Sequence, residues 1–261
     1  MYSPDLFLLV GFFIPLSIRM RMAVSKANII SDLQKEILLL QGFKPGSAGG
    51  TEGGLGLIKH AFPNATFPKG AVHEFISTTN ESASASLGFI AGIASSLMKG
   101  GAPSVWISSK KSAFPPGLKT FGLEPHNIIF IQSRKPKEIL WILEEALKTD
   151  CLSAVIADIG EISFLESRRL QLAVEQSKVT GLLLRRNPKN FSTACVTRWS
   201  IKPLPAEKKL IPGIGFPKWD VALLKVRNGK PGKWQMQWHD ERFEFIERAI
   251  TTYEQQQRKI V

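Results

Sequence analysis

Cysteine and histidine are scarce in this 261-residue chain, and their placement argues against two kinds of chemistry. The two cysteines, Cys151 and Cys195, stand far apart, each beside an apolar run. That usage suits reduced thiols packed in a core, not a disulfide framework, and points to the cytoplasm. The four histidines, His60, His73, His126 and His239, lack metal-ligand spacing, so no metal site and no cofactor is expected. Long apolar runs are missing too. LFLLVGFFIPLSI, near the N-terminus, is interrupted by Pro15 and holds only about a dozen residues, too few to cross a bilayer as a helix. It also lacks the preceding positive charge and the small-residue cleavage site of a signal peptide. Residues 1–21 are therefore read as a non-native extension ahead of a start at Met20 or Met22, with a membrane tether as the alternative.

Acidic residues are thin in one long stretch. From Arg185 to Lys233 there are twelve Lys or Arg against only Glu207 and Asp220, so this segment alone carries +10 of a formal charge of +12. Such clustering suits a phosphate backbone or an acidic protein surface, with a solvated basic rim as the plain alternative. With 44% hydrophobic residues, the rest of the chain can bury one sizeable core.

A third deficit lies in the stretch around which the chain is organised. FPKGAVHEFISTTNESASASL reads as a strand, a small-residue loop and the start of a helix, the layout of a phosphate-binding loop. Yet a working GxxxxGK[ST] loop needs glycines, so that backbone N–H groups curl round phosphate, and a lysine for the terminal charges. From Ser77 to Ser86 there is no Gly, Lys or Arg, Ser84 stands near the lysine position, and Glu81 would repel a triphosphate. Ser77, Glu81, Ser84 and Ser86 thus outline a nucleotide loop whose shape is expected to outlast its chemistry.

Along the chain, residues 23–41 place Ile29, Ile30, Leu33, Ile37, Leu38 and Leu40 on one broad helical face, with Ser25 or Asn28 as cap. Residues 42–56 hold seven glycines and make a linker, so this helix either docks on a neighbour or packs on its own core. Beyond Phe67, short continuous apolar strands (AVHEFIS, SVWIS, NIIFIQ, LSAVIAD, TGLLLR) alternate with helices such as PKEILWILEEALK and FLESRRLQLAVEQ. Strands of that type are buried on both faces of a parallel sheet. The strand ACVTRWSIKPL follows. After a proline-rich loop, WDVALLKVR and KWQMQWH alternate around NGKPG, which signals a hairpin. The predicted organisation is an extension at 1–21, a helix and linker at 22–56, an α/β core at 57–204 and a hairpin with tail at 205–261.

The order of these parts resembles the RecA-type recombinase core, and the chain is more specifically similar to the ImuA family. The second resemblance rests on FPKGAVHEF, FPPGLKTFG, EPHNIIF, EILWILEEALK, ESRRLQLAVEQSKVTGLLLRRNP and TACVTRW, about two thirds of the chain. It implies a RecA-like, mostly parallel sheet flanked by helices. It also implies an accessory role in SOS mutagenesis beside an ImuB-like Y-family polymerase homologue, the polymerase DnaE2 and RecA. A cell-division inhibitor of the SulA type, binding FtsZ, resembles the same core and is the alternative. Against an active RecA-like ATPase, Asp158 matches the Walker B aspartate. SVWIS, however, is followed by Ser109, Lys110 and Lys111, where the resemblance calls for a water-activating carboxylate, and no ATPase activity is expected. The segments matching RecA's DNA-binding loops are short, IGEIS and NPKNFST. Weak DNA or partner contact is assigned to Arg185, Arg186, Lys189 and Arg198, at strand ends or in the loops leaving them, the usual ligand edge of an open α/β sheet. Trp199, Trp219, Trp234 and Trp238 either stack on bases or belong to the core. Arg168 and Arg169 are further contact candidates, with a salt bridge to Glu166 or Glu175 as the plain account.

Overall fold

The computed structural model describes residues 26–40, 55–110, 114–205 and 215–246. The 1–21 extension, most of the glycine linker, Lys111 and the tail beyond 246 lie outside the described residues. The chain divides into two units, Met1–Ile37 and Leu38–Val261. Helix α1 (Lys26–Leu40) leaves Ile29, Ile30, Leu33 and Ile37 roughly half exposed. No described helix is long and apolar enough to cross a membrane.

The larger unit is built on a nine-stranded sheet in the order β3-β2-β4-β5-β1-β6-β7-β8-β9. Strands β1 (Val72–Ser77), β2 (Ser104–Ser108), β3 (Ile128–Gln132), β4 (Ala154–Ile159), β5 (Thr180–Arg186) and β6 (Thr197–Pro203) run parallel. The sheet then turns antiparallel through β7 (Lys218–Val226), β8 (Gly232–His239) and β9 (Arg242–Phe245). This is the expected mostly parallel sheet with a C-terminal hairpin, and the hairpin strands continue that same sheet.

Three features depart from the sequence reading. Strand β9 was not anticipated, because its turn is made by Asp240 and Glu241, at φ 47° and 55°, instead of the Asn-Gly pair that usually marks such a turn. Strand β3 is not buried on both faces. It forms one edge of the sheet, leaving Ile129 and Phe130 exposed. Cys151 is likewise exposed, in the turn before β4, and only Cys195 is buried. There, burial in company with Glu74 pushes the Cys195 thiol up to about 12.

Each face of the sheet has its own core. On one face, α2 (Asn80–Leu97) buries Phe89, Ile90 and Ile93 against Phe75, Trp199, Trp219 and Phe243. Small residues let the helix approach closely: a Cβ on Gly92 would lie 2.7 Å from ring carbons of both Phe243 and Trp238. On the other face, α4 (Pro136–Lys148) and α5 (Phe164–Ser177) bury Ile139, Leu143, Leu147, Leu170 and Val174 against Val105, Val155 and Leu183. The short α3 (Pro115–Leu118) lies between β2 and β3.

His73, inside β1, is satisfied without a charge. Its Nε2–H donates to the Pro68 carbonyl (2.9 Å), while Nδ1 lies 2.8 Å from the Thr197 hydroxyl, which also accepts from Trp199 Nε1. Burial therefore lowers its pKa from 6.5 to about 4.

Candidate functional site

The C-terminal edge of the parallel strands gathers most of the candidate residues. The turn between β1 and α2 is far shorter than a phosphate-binding loop. Only Thr78 and Thr79 separate the strand end at Ser77 from the helix start at Asn80. Thr79 caps the helix, its Oγ1 accepting from Ser82 N–H (3.2 Å), while Ser82 Oγ accepts from Thr79 N–H (3.1 Å). Glu81, Ser84 and Ser86 consequently lie inside α2, so the loop shape expected there is not formed. The helix begins at Asn80, well ahead of the apolar period that opens at Leu87, because the serines and threonines of this stretch cap and line it. Buried Ser86 donates to Ser82 O (2.7 Å) and lies 3.2 Å from Ser77 Oγ. Glu81 is solvent-exposed, and hydrogen bonds from its own backbone and from Thr79 hold its carboxyl below the usual range.

Asp158, at the end of β4, is nearly buried and already paired. Arg186, at the end of β5, grips it bidentately, Nε to Oδ1 at 2.9 Å and Nη2 to Oδ2 at 2.7 Å. The two side chains sit on adjacent parallel strands, where Asp158 is registered with Leu184 and Ile159 with Arg185. Together with Asn80, Ser109, Lys110 and Gly160 they line an open cavity of about 440 Å³. A second cavity of about 170 Å³, against Thr78, Thr79 and Asn187, shares Arg186 and Asn80 with it.

Behind this pair runs a buried ionic network centred on Glu74, in the middle of β1. Glu74 accepts from Arg185 Nη1 (2.8 Å), Arg198 Nε (2.8 Å) and Thr193 Oγ1 (2.7 Å). Both Glu74 and Arg185 are fully buried. The network reaches into the β5–β6 connection, whose carbonyls are held one after another by basic side chains. Arg185 donates to Asn190 O (2.8 Å), Arg198 to Phe191 O, Lys225 to Thr193 O (3.0 Å) and Arg227 to Ala194 O (2.9 Å). Several of its amides are held by side chains as well. Glu161 takes Lys189 N–H and Asn190 N–H, Asn190 Oδ1 takes Ser192 N–H, and Ser167 Oγ takes Ala194 N–H. Crowding of cations has a cost at Lys225, whose pKa is lowered by burial first and then by Arg198.

Of the expected contact residues, then, Arg185 is inaccessible, Arg198 is 14% exposed, and Arg186 is committed to Asp158. Lys189 alone among those four projects from an exposed loop position. The physical reason is that strand-end arginines meet carboxylates on neighbouring strands, a pairing invisible in the linear sequence. Arg168 and Arg169 are both exposed, and Arg169 pairs with Glu144 of α4 (2.5 Å) instead of Glu166 or Glu175. Trp199, Trp219 and Trp238 are core residues and cannot stack on bases, while Trp234 is half-buried against that core. Sequence reasoning passed over Glu74, Glu161, Thr79 and Asn80. Only Glu74 left a signal, as a lone acid inside an otherwise apolar strand that must find a partner.

Searched against family models, the chain matches none. Among solved structures it is similar to the RadB recombinase, at 12% identity and a TM-score of 0.49, covering 69% of this chain and 92% of that one. Among curated proteins it is 32% identical over 195 residues to Protein ImuA of Caulobacter vibrioides strain NA1000 / CB15N. The match covers 69% of this chain and 80% of that protein, and Protein ImuA of strain ATCC 19089 / CB 15 matches to the same extent. At that identity and coverage, the chain belongs to the ImuA family.

Proposed function

We propose that this chain is a non-catalytic accessory protein of error-prone translesion synthesis in SOS mutagenesis, acting in the cytoplasm through contacts with an ImuB-type polymerase homologue, DnaE2 and RecA. Membership of the ImuA family supports the pathway. The observation that carries the non-catalytic reading is the bidentate grip of Arg186 on Asp158. A guanidinium occupies the carboxylate that would otherwise support magnesium, and the two-residue turn ahead of α2 offers no run of backbone amides to cradle phosphates. Magnesium and a triphosphate therefore do not fit this edge of the sheet. Thermal unfolding with and without magnesium-ATP tests this. An unchanged Tm is expected, and a magnesium-dependent rise would overturn the non-catalytic reading. Co-purification with the ImuB-type partner and with RecA from damaged cells tests the pathway, and retention of FtsZ instead would favour the SulA-like alternative.

A second reading concerns modest, sequence-independent binding of single-stranded nucleic acid at the β5–β6 loop. Its support is local. Lys189 is exposed there, and beside it Phe191 is 50% exposed with the Arg198 guanidinium 5.6 Å from its ring centroid. A cation and an aromatic face side by side suit a phosphate and a base.

A further inference from the structure

Glu161 is a half-exposed acid held by donors that do not need it to complete any helix or strand. Its carboxylate takes the consecutive backbone N–H groups of Lys189 and Asn190, and Arg185 Nη2 stands 3.4 Å away. Just before them, Asn187 adopts a left-handed conformation (φ 46°). Successive amides converging in a turn of this kind make an anion-binding concavity. Arg185 strengthens it: fully buried, it keeps one Nε donor that meets no acceptor among the described residues.

We propose that this loop is a cradle for a backbone phosphate of single-stranded nucleic acid, and that Glu161 fills it from within the chain as an autoinhibitory stand-in. The inference rests on the second reading above and adds its regulation. Charge supports it. With Glu161 swung out, Arg185, Arg198 and Lys225 would face Glu74 alone, an excess of two positive charges around two free amides, and Lys189 would lose its acidic neighbour. The vacated place would then favour an anion, and the exposed Phe191 beside it favours a nucleic-acid strand over free phosphate. Glu161 can move, because it is exposed and follows Gly160, around whose Cβ position nothing lies within 4 Å. The hydrogen bond from Lys189 N–H, ahead of those from Asn190 and the charge of Arg185, holds the Glu161 carboxyl below its usual range, so the plug is charged at neutral pH.

Fluorescence anisotropy with a labelled oligothymidine, at several salt concentrations, tests the plug on wild type and Glu161→Gln. The variant should bind about tenfold tighter at about 50 mM salt, with log K against log salt steeper by about 0.7, the share of one more phosphate contact. Equal affinity for both proteins would overturn the plug while leaving nucleic-acid contact standing. No binding by either would overturn both readings. Inorganic phosphate at matched ionic strength should not displace the oligonucleotide, and displacement at millimolar concentration would assign the cradle to a free anion. On the wild type itself, oligothymidine should move the amide resonances of Lys189 and Asn190 more than those of Ser192 and Ala194. Unmoved resonances at saturation would overturn the cradle even if Glu161→Gln failed to fold.

Discussion

Replacing Glu74 by Gln removes one charge from the centre of the sheet and leaves its shape. Glu74 is the fully buried partner of Arg185 and also receives Arg198 and Thr193. Breaking one side of a buried pair typically costs about 3–5 kcal/mol, because the remaining charge stays desolvated without compensation. Arg185 retains the Asn190 carbonyl and the more distant Glu161, which sets the expectation near the lower end, about 3 kcal/mol. With a urea slope of about 2 kcal/mol/M, the unfolding midpoint should fall by about 1.5 M. Tryptophan fluorescence reports it well, since Trp199 sits in β6 beside Arg198. Glu74→Gln combined with Arg185→Met should recover at least half of the loss, because no unpaired buried arginine is then left at that position. A loss under about 1 kcal/mol for the single variant, or strictly additive losses in the double variant, would refute the reading of Glu74 and Arg185 as mutually dependent buried charges.

Two further outcomes follow from burial. Gly92→Val should destabilise the fold by about 1–3 kcal/mol, since even a Cβ there would lie 2.7 Å from the packed rings of Phe243 and Trp238, and an unchanged Tm would show that α2 can lift off the sheet. His73 has a folded pKa of about 4, below its ordinary 6.5, so the fold favours the neutral ring and this contribution is lost as pH falls through that window. Between pH 7 and pH 5 the loss from His73 should be about 2 kcal/mol, read as the difference in urea stability between wild type and His73→Asn, and parallel pH profiles would refute it.

The parallel core was legible because buried strands leave continuous apolar runs such as LSAVIAD and TGLLLR, and because α4 and α5 carry a clear helical period. Legibility failed where polar residues had two uses. In TTNESASAS the same Ser and Thr residues that suggest a loop can also cap a helix and line its first turns, and tertiary packing chose the helix. At β3, the apolar run IIFIQ looked like a buried strand, yet nothing local encodes which strand ends at the edge of a sheet. The site fared worst. Arg185 to Glu74 spans 111 residues and Arg186 to Asp158 spans 28, so neither pair leaves a spacing that a linear reading can detect.

The basic segment carries the sharpest consequence of that blindness. Its +10 invites the picture of an exposed electropositive surface, and charge counting is a sound guide when lysines and arginines point into water. Here four of its cations, Arg185, Arg198, Lys225 and Arg227, turn inward to hold four carbonyls of a single loop. A fifth, Arg186, is fixed on Asp158. Asp158 neutralises Arg186, and Glu74 and Glu161 offset two of the other four charges, but the carbonyls carry none, so a net positive field persists at the loop while the donors are occupied. The loop is thereby electropositive while its arginine donors are largely committed within the chain. Whatever anion approaches it must be met by Lys189 and by main-chain amides, and the carboxylate of Glu161 is already there.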